Sequence, residues 1–140
     1  MIEFVDTNIL IYANDLSSGR KRAIAVSLLD RLFRERSGAL SIQILIEFYD
    51  VMTRRLRFSP DQTAAPIIEL GCWKIHRPGH ADVLSASRLH QRYNLQWWDA
   101  LVLNSAIELG CTTLWSEDFS NGQQYGSVTV RNPFAEAASA

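Results

Sequence analysis

The sequence predicts an α/β fold in which a parallel sheet is covered by helices on both faces. Short apolar runs of strand character alternate along the chain with segments whose apolar residues recur at helical spacing. This alternation is typical of strand–helix–strand units, which build parallel sheets with helices on both sides. The chain has 140 residues, the usual length of one domain, and we expect that domain over residues 1–134, followed by an Ala-rich tail over residues 135–140.

Strands and helices already alternate in the first half of the chain. Residues 2–5 form a short apolar strand. Residues 21–36 form a helix that Gly38 ends, because their apolar positions follow the helical period. Residues 39–41 form a short strand, and residues 42–57 form one long helix. The apolar positions of the first helix are Ala25, Leu28, Leu29, Leu32 and Phe33.

The second half continues the same alternation. Ser59 and Pro60 begin a helix that runs to about Leu70, because serine is favoured at the N-cap and proline at the first helical position. The remaining predicted elements are a strand over residues 73–76, a helix from Pro78-Gly79 to about Tyr93 with Val83, Leu84 and Leu89 facing the core, a helix from Asp99 to Leu109, and strands over residues 112–115 and 128–130.

The composition is that of a cytoplasmic globular protein. The hydrophobic fraction is 47% and the mean hydropathy is -0.06. The longest apolar stretch, residues 42–48, is interrupted by Gln43 and Glu47 and is far too short to cross a membrane. The N-terminus has no positively charged region followed by an apolar one, so no signal peptide is expected. Cys72 and Cys111 are predicted to be buried thiols rather than a disulfide.

Charge is distributed unevenly along the chain, although the net charge is only -1. All of the 14 lysines and arginines except Arg131 precede Tyr93, and the stretch after Tyr93 is acidic. Basic clusters of this kind are compatible with nucleic-acid binding, but they also occur on solvated helix faces. The charge distribution therefore permits a nucleic-acid partner without requiring one.

Four acidic residues stand where apolar segments meet loops or helices: Asp6, Glu47, Asp99 and Asp118. A carboxylate among bulky apolar residues is costly to bury unless something compensates its charge. Asp6 and Asp118 each follow a predicted strand, so they should meet at the edge where parallel strands end. Asp99 joins them if its helix begins at that edge, and Glu47 lies about one turn into its helix. Carboxylate oxygens are the ligands that Mg²⁺ and Mn²⁺ prefer, so the sequence predicts a divalent metal site.

Each acid also has a purely structural interpretation. Asp6 could hold a turn, Asp99 could cap its helix, and Asp118 could hold a loop. Glu47 is harder to explain in this way, because its neighbours on the helix are apolar. Four such acids at one sheet edge favour a catalytic metal site instead. Carboxylates can hold two divalent metal ions about 3.5–4 Å apart, and such a pair can promote hydrolysis of a phosphodiester.

The motifs around these acids resemble those of the PIN-domain ribonucleases, especially the VapC-like toxins of type II toxin–antitoxin modules. The resemblance extends from residue 2 to about residue 133 and rests on Val5-Asp6-Thr7-Asn8-Ile9-Leu10-Ile11-Tyr12, Glu47, Trp98-Asp99-Ala100-Leu101 and Ser116-Glu117-Asp118-Phe119. It implies a three-layer α/β/α sandwich with a central, mostly parallel sheet. It also implies a homodimeric endoribonuclease that depends on Mg²⁺ or Mn²⁺, cuts RNA (commonly tRNA or rRNA) and is inhibited by a cognate antitoxin.

The resemblance also assigns roles to individual residues. Catalysis and metal binding fall to Asp6, Glu47, Asp99 and Asp118, the last acting directly or through water. Asn8 and Ser116 match positions that orient carboxylates and waters. The fourth motif contains a second acid, Glu117, which could assist or replace Asp118.

Contacts to RNA are less specific in the sequence. The candidates are Arg20, Lys21, Arg22 and Arg54. Arg54 lies seven residues after Glu47, so on a continuous helix it shares that face about 10 Å along the axis. The alternative for Arg54 is an interaction with the helix C-terminal dipole. Trp97 and Trp98 could stack on bases or belong to the core, and Trp115 is expected in the core.

Several other functions remain open on the sequence. A haloacid-dehalogenase-like phosphatase requires a second aspartate two residues after Asp6, where this chain has Asn8. A response-regulator receiver requires a late lysine, but the last lysine is Lys74. A PIN scaffold that binds RNA or a partner without cutting would be expected to lack one of the acids, and all four are present. A PIN nuclease that processes RNA outside toxin–antitoxin modules is the remaining alternative.

Overall fold

The computed structural model describes residues 1–139, with side chains up to Glu136. The strands in this part of the chain are β1 Glu3–Val5, β2 Gly38–Ser41, β3 Lys74–His76, β4 Thr113–Trp115, β5 Gln124–Tyr125 and β6 Val128–Arg131. The helices are α1 Thr7–Asn14, α2 Arg20–Glu35, α3 Ile42–Asp50, α4 Pro60–Leu70, α5 His80–Tyr93, α6 Trp97–Glu108 and α7 Pro133–Ser139.

The strands form one mixed sheet in the order β3-β2-β1-β4-β6-β5. All neighbouring strands are parallel except β5, which pairs antiparallel with β6. The chain moves outward from β1 through β2 to β3, and then crosses to the other side of β1 to form β4. The strand order therefore reverses between β1 and β4, and ligands of open α/β sheets bind beside such a reversal, at the carboxyl ends of the strands.

Helices cover the sheet on both faces, which confirms the predicted fold class. Every residue of β1, β2 and β4 is buried, and successive residues of a strand point to opposite faces. Phe4, Leu40 and Leu114 supply large, fully buried side chains at the centre of the sheet. Among the helices of residues 1–139, none is long and apolar enough to cross a membrane.

The helix predicted over residues 42–57 is not continuous. α3 ends at Asp50, and a π-helical turn, Val51–Arg55, follows it. A π turn contains more residues per turn than an α-helix, so side chains beyond it rotate out of the α-helical register. Arg57 then adopts a positive φ of 63°, after which Ser59 caps α4 as predicted.

The predicted end of the second helix also differs in detail. α2 ends at Glu35, and Arg36 adopts the left-handed conformation of a C-cap. Gly38, expected to end the helix, is instead the first residue of β2. A Cβ at this position would lie 2.5 Å from the Trp73 ring. Glycine is therefore needed here so that the tryptophan can pack against the strand.

Three residues predicted to be buried are exposed. Val83 and Leu84 are exposed by 47% and 54%, and α5 buries Ala86 instead, with Leu89 partly buried against the core. Cys72 is exposed, whereas Cys111 is buried as predicted. Scattered exposed apolar residues are common on protein surfaces.

Three elements were not predicted at all. α1 follows β1 directly, β5 is only two residues long, and α7 lies near the C-terminus. α7 spans Pro133–Ser139 and so crosses the domain boundary expected at residue 134. Ala140, the end of the expected tail, lies outside the described residues.

Candidate active site

Asp6 lies at the carboxyl end of β1 and also caps α1. Its carboxylate accepts hydrogen bonds from the Thr7 backbone N–H and from the Ser116 hydroxyl, both at 2.7 Å. The residue is only 4% exposed. Burial raises the pKa of Asp6 to about 7; the two hydrogen bonds oppose this shift, and the charges of Asp118 and Glu47 add to it. The capping role expected for a purely structural Asp6 is thus present, but it leaves the charge uncompensated.

Glu47 is fixed on α3 by two neutral side chains. The Thr7 hydroxyl donates to Glu47 Oε2 at 2.9 Å, and the Gln43 amide donates to Glu47 Oε1 at 2.8 Å. The first of these bonds joins α3 to the start of α1, immediately after Asp6. The sequence therefore brings Glu47 to the same edge of the sheet as Asp6, although the two residues are far apart in the chain.

Asp99 lies in the first turn of α6, half-buried. Gln96 takes the N-cap position of this helix, so Asp99 does not cap it as the structural interpretation required. Burial raises the pKa of Asp99, and the charges of Asp118 and Glu47 raise it further. Within residues 1–136, no side chain donates a hydrogen bond to this carboxylate.

Asp118 lies beyond β4 and is exposed. The Asn8 amide donates to Asp118 Oδ2 at 3.1 Å, and the Asp118 backbone N–H donates to the Ser116 hydroxyl at 3.0 Å. Ser116 is fully buried and also donates to Asp6. Asn8 therefore contacts Asp118, and Ser116 contacts both Asp6 and Asp118, whereas their role in orienting carboxylates and waters stays a prediction.

Glu117 lies beside Asp118 but has different partners. Its carboxylate accepts hydrogen bonds from the Tyr12 hydroxyl and from the Lys21 ammonium, the latter at 2.9 Å. The charge of Glu117 is not among the causes that raise the pKa of Asp6 or the pKa of Asp99. The sequence left open whether Glu117 joins the acids, and the geometry separates its carboxylate from them.

The four acids, Asp6, Glu47, Asp99 and Asp118, are hereafter called the acid cluster. Among residues 1–136, no Lys, Arg or His forms an ion pair with any of them. The same residues contain no group of three His, Cys, Asp or Glu side chains arranged closely enough to hold a metal ion as they stand. Mg²⁺ needs only one or two carboxylates as protein ligands and keeps several waters. The donor chemistry of the acid cluster thus fits a hydrated divalent cation.

The candidate RNA contacts do not gather around the acid cluster as a group. Lys21 pairs with Glu117, and Arg54 pairs with Asp50 at 2.8 Å. The π turn removes the continuous helix on which Arg54 was expected to share the face of Glu47. Arg20 is exposed and Arg22 is half-buried. Their contacts with RNA remain predictions.

An apolar groove borders the acid cluster. It has a volume of about 670 Å³, and Ile42, Ile46, Pro78, Trp98 and Glu47 are among the residues that line it. Trp98 is 62% exposed and so is not a core residue, whereas Trp115 is buried as predicted. Sequence reasoning missed the groove, because helical periodicity alone does not show which apolar positions on α3 and α6 remain uncovered.

An acid cluster beside the reversal point of a mostly parallel sheet is typical of α/β proteins whose ligand sites lie at the carboxyl ends of the strands. The family model of the PIN domain matches residues 4–120, and the chain belongs to this family. Comparison with curated proteins gives no match.

Several solved structures share the fold. A toxin–antitoxin complex from Klebsiella pneumoniae is 24% identical, with a TM-score of 0.69 over 94% of this chain and 97% of the other. VapBC2 from Rickettsia felis, bound to a promoter DNA fragment, is 19% identical, with a TM-score of 0.67 over 94% and 98%. VapC20 from Mycobacterium tuberculosis, a toxin that cleaves the sarcin–ricin loop, is 18% identical, with a TM-score of 0.63 over 79% and 85%.

Proposed function

We propose that this protein is an endoribonuclease that depends on Mg²⁺ or Mn²⁺ and acts as the toxin of a toxin–antitoxin system. The observation that carries the proposal is the acid cluster, in which four carboxylates interact at one sheet edge without a cation from the described chain. Membership of the PIN family and the likeness to toxin structures support the same reading.

The acid cluster would hold the metal, with Asp6, Glu47 and Asp99 as its main ligands and Asp118 acting directly or through water. When bound, the ion would activate a water for in-line attack on the phosphorus and offset the charge that develops on the phosphate. Thr7 and Gln43 fix the Glu47 carboxylate, and Ser116 fixes that of Asp6. These hydrogen bonds orient the ligands before the substrate arrives, which lowers the cost of reorganisation.

RNA, in particular tRNA or rRNA, is the proposed substrate, and a cognate antitoxin is the proposed inhibitor. The support for the substrate is that VapC20, which shares the fold, cleaves the sarcin–ricin loop. The support for the inhibitor is that two other relatives in fold were solved as toxin–antitoxin assemblies. A homodimer and a cytoplasmic site of action, both expected from the sequence, belong to the same proposal.

Cleavage of total RNA by the purified protein tests the proposal. We expect discrete new RNA ends in the presence of Mn²⁺ and none with EDTA. Asp6→Ala should abolish the cuts, and Asp30→Asn, which removes an exposed carboxylate of α2, should leave them unchanged.

Three results would contradict the proposal in whole or in part. Cuts that persist in Asp6→Ala would come from another nuclease. No cuts by a protein that binds Mn²⁺ would favour a PIN scaffold that binds RNA or a partner without cutting. If cuts occur but no antitoxin neutralises them, an RNA-processing nuclease outside toxin–antitoxin modules becomes the better assignment.

A further inference from the structure

Glu117 is a fifth acid, next to Asp118 in the chain, but its carboxylate is held by Tyr12 of α1 and Lys21 of α2. Lys21 Nζ lies 2.9 Å from Glu117 Oε2 and 3.3 Å from the Tyr12 hydroxyl, which in turn donates to Glu117 Oε1. Both carboxylate oxygens are therefore engaged, one of them by a full positive charge. Charge-assisted bonds of this kind are stronger than those between neutral groups.

Aromatic rings hold Lys21 in this position. Its ammonium lies 4.7 Å from the centroid of the Tyr12 ring and 5.2 Å from that of Phe134. The two rings pack edge to face, with centroids 5.1 Å apart. Tyr12 belongs to α1, Lys21 to α2 and Phe134 to α7. Cation–π contacts with both rings thus add to the ion pair in favouring this position of the ammonium.

Glu117 is also connected to the acid cluster, through Asn8. The Glu117 backbone N–H donates to Asn8 Oδ1 at 3.4 Å, and the Asn8 amide donates to Asp118 Oδ2 at 3.1 Å. Asn8 and Tyr12 lie one turn apart on α1, so the same helix contacts Asp118 at one position and Glu117 at the other. Movement of the Glu117 side chain would therefore also shift the adjacent backbone of Asp118.

We propose that Tyr12 and Lys21 are positioning residues, which hold Glu117 out of the acid cluster and thereby fix Asp118 for metal binding. This inference rests on the proposed function, because it assumes that the acid cluster binds a divalent cation. It assigns Lys21 a role different from the RNA contact predicted from the sequence. The ammonium already donates to Glu117 and to the Tyr12 hydroxyl.

Affinity for Mn²⁺, measured by calorimetry without RNA, tests the inference. Tyr12→Phe and Lys21→Met should each weaken Mn²⁺ binding by about tenfold, as changes to groups that orient metal ligands commonly do. Lys21→Arg should restore most of the affinity, because it keeps a cation for Glu117. In a Glu117→Gln background, Lys21→Met should have little further effect, since the carboxylate that it holds is already gone.

The sign of the change separates positioning from a simple effect of charge. Loss of a nearby positive charge, acting only through space, would tighten Mn²⁺ binding in Lys21→Met. Tighter or unchanged binding would therefore overturn the inference. The matched control is Arg34→Met, which removes an exposed cation elsewhere on α2 and should leave the affinity unchanged. Melting temperatures measured without metal would identify any variant that fails to fold.

Two further outcomes have distinct meanings. If the unaltered protein binds no Mn²⁺, the proposed function fails and this inference falls with it. If Lys21→Met keeps its Mn²⁺ affinity but binds RNA more weakly and with a shallower salt dependence, Lys21 contacts phosphate and only the positioning role is overturned.

Discussion

An acid is buried at each end of β1, and a cationic side chain compensates its charge at one end but not at the other. Glu3, 8% exposed, accepts two hydrogen bonds from the Arg31 guanidinium, at 2.9 and 3.0 Å, and one from the Trp115 indole at 2.9 Å. Asp6, 4% exposed, has only the Thr7 backbone N–H and the Ser116 hydroxyl as donors. The Arg31 side chain holds the pKa of Glu3 below its usual value despite burial, whereas burial raises the pKa of Asp6 to about 7.

The difference separates a structural acid from a candidate functional one. A buried carboxylate with its own cation stabilises the fold or is nearly neutral to it. A buried carboxylate without a cation lowers stability when charged, and such a cost is typical of sites that bind or react. We propose that the charge of Asp6, at the carboxyl end of β1, is compensated by a cation from solution.

The largest expected effect concerns Asp6 and pH in the absence of metal. Its pKa is about 7 in the folded protein, against an ordinary value of 3.8, so the folded state holds a proton that the unfolded state releases. This contribution to stability is fully present below about pH 4 and is lost as the pH rises through 7, on the order of 4 kcal/mol in all. Urea unfolding in EDTA from pH 4 to 8 measures it.

Asp6→Asn serves as the control for this pH effect, because it removes the titrating group while keeping its shape. We expect the free energy of unfolding of this variant to lose most of its decline between pH 4 and 7. Asp30→Asn should keep the decline. An unchanged decline in Asp6→Asn would show that another group causes it.

At the opposite end of β1, Arg31→Met should destabilise the fold by about 2 kcal/mol, because it leaves the Glu3 carboxylate buried with Trp115 as its remaining donor. Arg31 is partly exposed, so we expect less than for a fully buried pair. The effect should disappear in acid as Glu3 is protonated. Thermal unfolding measures it, and Arg34→Met should change little.

Asp99→Asn should weaken Mg²⁺ binding by about tenfold, equivalent to about 1.4 kcal/mol, while leaving the metal-free fold intact or more stable. Its raised pKa means that the charged form is disfavoured at this position. The measurement is the rise in melting temperature on addition of Mg²⁺, which should largely vanish in the variant. A full rise would remove Asp99 from the list of ligands.

The smallest expected effect is that of Trp115→Phe, about 1 kcal/mol of stability. The variant loses the indole N–H bonded to Glu3 but keeps an aromatic ring under Arg131, whose guanidinium lies 4.4 Å from the Trp115 ring centroid. Chemical denaturation measures the loss, and the rise in melting temperature with Mg²⁺ should be unchanged. A lost response to Mg²⁺ would mean that the two ends of β1 are not independent.

The sequence predicted the sheet well, because buried strands depend on local patterns, and the catalytic role of the acids stays a prediction. Apolar runs mark buried strands, and Asp6 and Asp118 follow strands whose carboxyl ends meet at one edge. The family resemblance, carried by contiguous motifs around the acids, was confirmed.

Packing between elements that are distant in the chain could not be predicted from the sequence. The partners of Glu117 come from α1 and α2, so spacing alone did not show that its carboxylate is held apart from Asp118. The π turn after α3 has no simple periodic signature, and it changed the position expected for Arg54. Gly38 reads as a helix terminator until the Trp73 ring that packs against it is known.

An anomalous difference map from crystals grown with Mn²⁺ would show whether the acid cluster holds the metal. We predict a peak contacted by carboxylates of Asp6, Glu47 and Asp99, with Asp118 bound directly or through water, and no peak beside Glu3. A map without a peak in the acid cluster, at a Mn²⁺ concentration that supports RNA cleavage, would contradict it.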